Sequence, residues 1–340
     1  VTLDDVAREA GVSLATASRV LNGSSRVVGE ALRERVHAAA VQLDYSANAQ
    51  AQAMARGRSS VVGLVVHDIA DPYFSSLAAG VMARAEATDV IVTLAVTGGD
   101  PAREVQHVAA LRRQRVRAVV LAGSRWVGEE TTDALRSELD AFRAGGGLVA
   151  AATQDVLGVD CVLVDNRGAA QRLSETMVER GYREFVLLEG PANLLTARDR
   201  TAGFLAGLAT HGLEPVAHLA GPFTRDGAYE SVAGFLARGP VPRVAGRRPV
   251  VMAANDVMAV GAVAAARDAG LDVPADLAVT GFDDIPTLRD VAPALTTVRL
   301  PLKDIGTALF DLVASADGGP VRREHVEGEV LVRASTPPQP

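Results

Sequence analysis

Hydrophobic positions follow two regimes along the chain. Over the first forty-five residues they recur at helical spacing: Val6 and Ala10 lie four apart, then Leu14, Ala17 and Leu21, then Leu32, Val36, Ala39 and Leu43. Thr2 can cap a first helix, with Asp4 and Asp5 in its first turn, Gly11 can take a left-handed turn, and Ser13 can cap a second helix. The spacing predicts a helix-turn-helix, with a second helix over 14–22, a loop over 24–29 and a third helix over 30–43. Thr16, Ser18, Arg19 and Asn22 are left with outward or flanking directions, which suits phosphate and base-edge contacts in a DNA groove. Short helical hairpins with a glycine are also common without DNA, so spacing alone leaves both readings open.

Beyond residue 60 the pattern becomes short, continuous apolar runs separated by helical stretches. One series runs Ser60–Val66, Val90–Ala95, Ala118–Ala122 and Leu148–Ala152, with helices over 73–87, 101–113 and 129–144. A second runs Cys161–Leu163, Glu184–Glu189, Val216–Leu219, Val250–Ala253 and Leu277–Thr280, with helices over 168–180, 197–210, 226–237 and 257–269. Continuous rather than alternating apolar strands indicate parallel sheets covered on both faces. The fold class is therefore α/β: two doubly wound, Rossmann-like lobes behind a small helical head. A strand at Thr297-Val298-Arg299, a helix over 303–314 and a run from Val326 to Arg333 complete the pattern.

Between head and body, Tyr45–Arg58 is polar and alanine-rich. Asn48 can cap a helix over 49–55, but so short a helix does not form alone in water. A flexible linker and a hinge that orders on binding both fit. Met54 is its single large apolar side chain, and an apolar wedge in a minor groove bends DNA.

Charge refines this division. Of a formal net charge of -7 over 340 residues, the first sixty carry 6 acidic and 7 basic side chains, so the acidity lies in the body. A near-neutral head depends on where its arginines face. Cys161 is the single cysteine, which excludes an intrachain disulfide and suits a buried thiol. No basic and apolar leader is evident at the first residues and no apolar run approaches membrane-span length, so the expected location is cytoplasmic, with no membrane partner.

These residues resemble the LacI/GalR family of bacterial transcriptional regulators. The likeness begins with Thr2-Leu3-Asp4-Asp5-Val6-Ala7 and Ser18-Arg19-Val20-Leu21-Asn22-Gly23, continues through Arg33-Glu34-Arg35-Val36 and Leu43-Asp44-Tyr45, and extends over the rest of the chain. The resemblance implies a lambda-repressor-like head over 1–46, a hinge helix over 47–58 and an effector-binding and dimerisation domain over 59–340 of the type I periplasmic-binding-protein fold. It implies an N-terminal lobe of about 59–161 with 293–321, and a C-terminal lobe of about 162–292 with 322–336. Leu14 and Ala15 match the positions that vary with operator sequence, Thr16, Ser18 and Asn22 match positions that fix the head on the backbone, and Met54 matches the intercalating hinge leucine. Ala47 stands where the family has proline, Gln52 where it has arginine or a similar group, and Gly29 where a serine caps the third helix.

Ligands of parallel sheets sit beyond the carboxyl ends of strands. After the first strand, Pro72 fits a first helical turn while Asp71, Tyr73 and Phe74 can point into a cleft; for Phe74 a core role is equally open. The family usually has asparagine at Asp71, and a carboxylate there suits a polyol or an amine better than a phosphate. Arg200, within Asp199-Arg200-Thr201, matches the arginine that holds ligand oxygens, and Phe223 matches an aromatic stacking position. Asn255 and Asp283 match ligand-contacting positions, and an amide with a carboxylate suits sugar hydroxyls. Asp256 and Asp284 read better as cap or loop residues. The strand ending Ala150-Ala151-Ala152 lacks a carboxylate that some sugar-binding members carry.

Asp71, Asp256 and Asp283 could also be read as acid and base groups. No serine elbow, phosphate loop, nucleotide fingerprint or metal spacing accompanies them, so neither an enzyme nor a cofactor is expected. The expected function is a DNA-binding regulator, a repressor binding palindromic operator DNA as a homodimer under control of a small-molecule effector, a sugar or sugar derivative. The alternative is a cytosolic sugar-binding protein with a vestigial head. The tail Pro337-Pro338-Gln339-Pro340 carries no leucine heptad, so a dimer through the body is the expected assembly.

Overall fold

The computed structural model describes residues 1–22, 28–45, 59–239, 241, 246–315 and 319–339. Two compact units divide the chain, Val1–Ser60 and Val61–Pro340.

In the first unit, Leu3–Glu9 (α1), Leu14–Asn22 (α2) and Glu30–Gln42 (α3) form the head. Thr2 and Asp5 cap α1 reciprocally, each side chain accepting the other's backbone N–H, and the Ser13 hydroxyl accepts the Thr16 N–H at 3.2 Å. Gly11 turns the chain at φ +62, a left-handed conformation open to glycine without strain. The core is small: Val6, Ala7, Ala10, Ala17, Val36, Ala39 and Ala40, flanked by Leu3, Val12, Val20, Leu21, Leu43 and Tyr45. Leu14 and Leu32, placed on buried faces by spacing, are 49% and 38% exposed. Alanines let the three helices approach closely enough to close the core without them.

In the second unit, alternation of strand and helix builds two parallel sheets. Val61–Val66 (β1), Pro72–Glu86 (α4), Ile91–Val96 (β2), Pro101–Arg113 (α5), Ala118–Leu121 (β3), Glu129–Ala144 (α6), Leu148–Thr153 (β4) and Asp160–Val164 (β5) form most of the first lobe. Asn166–Glu179 (α7), Phe185–Glu189 (β6), Leu195–Ala209 (α8), Ala217–Ala220 (β7), Arg225–Leu236 (α9), Val250–Ala253 (β8), Asp256–Asp268 (α10) and Ala278–Thr280 (β9) form most of the second. Thr297–Arg299 (β10), Leu302–Ala314 (α11), Arg323–Val326 (β11) and Glu329–Leu331 (β12) then cross between them.

The first sheet has the order β11-β5-β4-β3-β1-β2, and the second β7-β6-β8-β9. Isolated bridges from Thr280 to Thr296 and from Asp283 to Arg299 carry the second sheet on to the antiparallel pair β10-β12. Inner strands β1, β3 and β4 are buried almost throughout, whereas the edge strand β2 alternates, as one-sided cover dictates. On one face of the first sheet Leu64, Leu77, Val81, Leu309 and Phe310 pack together; on the other, Val108, Leu111, Val119, Leu135, Leu139 and Phe142 do. Each such fully buried side chain contributes roughly 1.5–3 kcal/mol.

Sheet membership corrects the sequence pattern in two places. Cys161–Leu163 was expected to open the second series, but β5 pairs with β4 in the first sheet, Cys161 opposite Ala151. Val326 to Arg333 was expected as one run, but it divides at Glu327-Gly328 into β11, beside β5, and β12, beside β10. The three crossings therefore fall near 165, 300 and 327, a few residues after the expected 161/162, 292/293 and 321/322. A short, wholly apolar strand carries no periodic mark of which sheet it joins, and β5 is chosen by its ladder to β4.

Candidate functional site

The two lobes meet where the carboxyl ends of both sheets open onto one cleft, and Arg200 anchors its second-lobe wall. Arg200 lies in the second turn of α8 and is 3% exposed. Its Nε donates to Asn166 Oδ1 at 2.9 Å, Nη1 to the Ala254 carbonyl at 2.7 Å and Nη2 to Asp283 Oδ1 at 2.7 Å. The Phe282 ring lies under the guanidinium, 3.8 Å from its carbon. Three of the five N–H groups are thus committed to protein, leaving one on each terminal nitrogen, a fork matched to paired oxygens.

Asp283 is bound into this frame by its backbone as well. It adopts φ +113, donates its N–H to the Val298 carbonyl at 2.8 Å and accepts the Leu300 N–H at 3.3 Å. Burial pushes its carboxyl up to about 6 against the opposing pull of the Arg200 cation. Asn255 caps α10, its Oδ1 accepting the Met258 N–H at 3.0 Å. Asp256 and Asp284 are structural. Asp256 accepts from Ile285 N at 2.9 Å and Thr297 Oγ1 at 2.6 Å, and burial, then the Asp283 charge, hold its pKa well above the carboxylate range. Asp284 pairs with Arg299 at 2.9 Å and Arg333 at 2.6 Å, pinning the loop to β10 and the closing segment. Phe223 lies over Gly190 at the carboxyl end of β6, where a Cβ would strike its ring.

On the first-lobe wall, Asp71 caps α4 by accepting the Tyr73 N–H at 2.9 Å, with Pro72 in the first turn. Burial raises its pKa; Asp68 raises it further, and the Tyr73 hydrogen bond and Arg200 oppose. The Tyr73 phenol is raised by burial and then by Asp283, which places Asp71, Tyr73, Arg200 and Asp283 within one another's field. Tyr73 and Phe74 meet edge to face at 5.0 Å, and Phe74 leans on His67 at 5.5 Å. Phe74 is half-buried, serving the core and the cleft rim together.

A lip between the lobes was not visible in the sequence. Trp126 bridges Leu194 in antiparallel fashion, Val127 N donates to Asn193 O at 2.7 Å, and Leu195 N donates to Arg125 O at 2.9 Å. Gln154 donates to Thr196 Oγ1 at 2.9 Å and accepts the Arg125 N–H at 3.1 Å. Arg125 is itself held by a two-pronged, buried pair with Glu104 at 2.9 and 3.0 Å. His67 sits beside this pair, stacked toward Trp126 at 6.4 Å, and burial then Arg125 depress its pKa to about 4. No short motif marks these residues, because their partners lie tens of residues away.

In the head, α2 presents Leu14, Ala15 and Arg19 to solvent, while Thr16 shares a hydrogen bond with Ser13 at 2.9 Å and Ser18 is half-buried. Asn22 closes α2, but its side chain, like Met54 and the expected hinge helix, lies outside the described residues. No helix of the described residues is long and apolar enough to cross a membrane.

Comparison with known proteins agrees with this architecture. Residues 2–48 match the family described as bacterial regulatory proteins, lacI family, and residues 59–327 match periplasmic binding proteins and sugar binding domain of LacI family. The chain is 32% identical to the HTH-type transcriptional regulator GalR of Escherichia coli (strain K12), over 99% of this chain and 96% of that one. A lac repressor dimer solved with operator and the anti-inducer ONPF superposes with a TM-score of 0.83 at 26% identity, covering 99% of each chain. A complex of the transcriptional regulator CelR with cellobiose gives 0.68 at 27% identity, over 98% of this chain and 99% of that one. The chain therefore belongs to the LacI family: it is a DNA-binding transcriptional regulator, not an enzyme, with an effector-binding cleft between two lobes.

Proposed function

We propose that the chain is a repressor that binds a palindromic operator as a homodimer and is released by a sugar or sugar-like effector. The observation that carries the effector class is the Arg200 fork, braced by Asn166, Asp283 and the Ala254 carbonyl with two N–H groups to spare. A rigid fork beside the Asp71 carboxylate offers paired donors and an acceptor, the complement of vicinal hydroxyls. Tyr73, Phe74 and Phe223 supply apolar faces for the C–H face of a ring, and Asn255 keeps an amide at the same end of the second sheet. The CelR–cellobiose complex and the match to the sugar binding domain of the LacI family support a carbohydrate as the ligand.

DNA reading falls to α2, with Leu14 and Ala15 toward base edges through apolar contacts and Thr16, Ser18, Arg19 and Asn22 toward the backbone. Met54 is the wedge that bends the operator at the hinge. Two-fold pairing falls to the first lobe, where Ile91 at 60% exposure, Val96 and Met82 are large apolar side chains left exposed on the edge strand β2 and on α4. The similar lac repressor, solved as a dimer bound to operator, supports two-fold pairing on DNA. Closure of the cleft at the lip around Trp126 and Leu194 is the movement through which ligand reaches the heads.

A thermal-shift screen of sugars, polyols and nucleosides tests the effector class. Sugars are expected to raise Tm and to weaken retardation of an operator duplex; stabilisation by nucleosides alone, or by nothing in the screen, contradicts the reading.

A further inference from the structure

Among the described residues, one carboxylate on the cleft wall stands without an ion pair, and it names a feature of the ligand. Arg200 is spent on Asp283, and Arg125 on Glu104. Asp284 is answered by Arg299 and Arg333, and Asp199 lies beside Arg167 and Arg198. Asp71 is half-buried and has no ion pair among the described residues, and Asp68 beside it adds a second negative charge. His67, on the same wall, is neutral at ordinary pH and supplies no cation. One Asp71 oxygen holds the Tyr73 N–H, which leaves the other to face a ligand.

We propose that the effector carries a protonated amine and that Asp71 is the residue that selects it. This inference rests on the carbohydrate reading above and narrows it to an amino sugar or amino polyol. A half-buried carboxylate without an ion pair attracts an ammonium, tolerates a hydroxyl and repels a phosphate or carboxylate. Tyr73 and Phe74, adjacent and edge to face, add ring faces that also favour a cation. The Arg200 fork then takes hydroxyls of the same molecule, so the two walls read different groups on one ligand.

The test compares matched ligands on the full chain by calorimetry: glucosamine, galactosamine and mannosamine, each against its parent sugar and its 6-phosphate. In the series that binds, the amine is expected to bind at least about tenfold tighter than its parent, as one partly desolvated ion pair allows, and the phosphate not to bind. Asp71→Asn keeps the helix cap, since asparagine caps as well as aspartate, and is expected to erase the amine preference, so that an amine and its parent sugar bind with equal affinity. Parent sugars that bind as tightly as their amines, or any phosphate that binds, overturn the inference and leave the carbohydrate reading standing. Failure of all nine compounds overturns both.

Discussion

Arg200 makes three side-chain hydrogen bonds and a ring contact, all with the protein itself. Because Asp283 is buried with it, removal of the guanidinium strands a carboxyl. Arg200→Ala is expected to cost about 3 kcal/mol of stability and to abolish effector binding in calorimetry, whereas operator affinity without effector is kept. Unchanged effector affinity would remove Arg200 from the site. His67 gives a prediction of a different kind. An imidazole held near 4 when folded leaves the unfolded chain binding more protons between about pH 4 and 6.5, so its contribution is present above that window and is lost as pH falls through it. Asp283 acts in the opposite sense, its contribution fading as pH rises from the ordinary carboxyl value toward about 6. His67→Gln is therefore expected to lessen the fall in Tm between pH 6.5 and 4; an identical fall in both proteins would show that His67 is not the group. In the sequence Asp71 is marked by its place just after β1, and Arg200 and Asp283 by their match to family segments. Asn166 was not, since its link to Arg200 spans 34 residues and no local pattern records it.

At the scale of elements, packing of α4 on α11 holds the crossover helix to the first lobe. A Cβ on Gly306 would lie 2.1 Å from the Leu77 carbonyl, and one on Gly80 would lie 2.0 Å from that of Lys303, so the helices touch backbone to backbone. Gly306→Ala is expected to cost about 1–3 kcal/mol by forcing them apart, read as a lower urea midpoint at unchanged slope. A midpoint unaltered by the change would mean that the helices do not meet there. Element type was legible almost everywhere, because parallel strands buried on both faces read as apolar runs and the helices between them keep a 3.6-residue period. Membership was less legible: β5, β11 and β12 are short, and the sheet that each joins depends on neighbours brought close only by the fold. The lip formed by Trp126 and Leu194 belongs to the same class, since its ladder consists of backbone groups that every residue carries.

Across the whole molecule, a near-neutral head and an acidic two-lobed body divide reading from sensing. A chain beginning at residue 59 is expected to lose operator binding and to sediment as a dimer; a monomer would move the pairing surface away from the β2 edge and α4. If cleft and head are coupled through the body, the coupling free energy is the same from either end: the factor by which effector changes operator affinity is the factor by which operator changes effector affinity. The most direct measurement is a mobility-shift titration of the full chain on a palindromic duplex selected from random DNA, with and without a saturating sugar ligand, for the parent protein and Arg200→Ala. The account predicts that the ligand weakens operator binding by about tenfold or more in the parent, a coupling of roughly 1–3 kcal/mol, and does nothing in Arg200→Ala. Equal operator affinity with and without a ligand that calorimetry shows to be bound would contradict it.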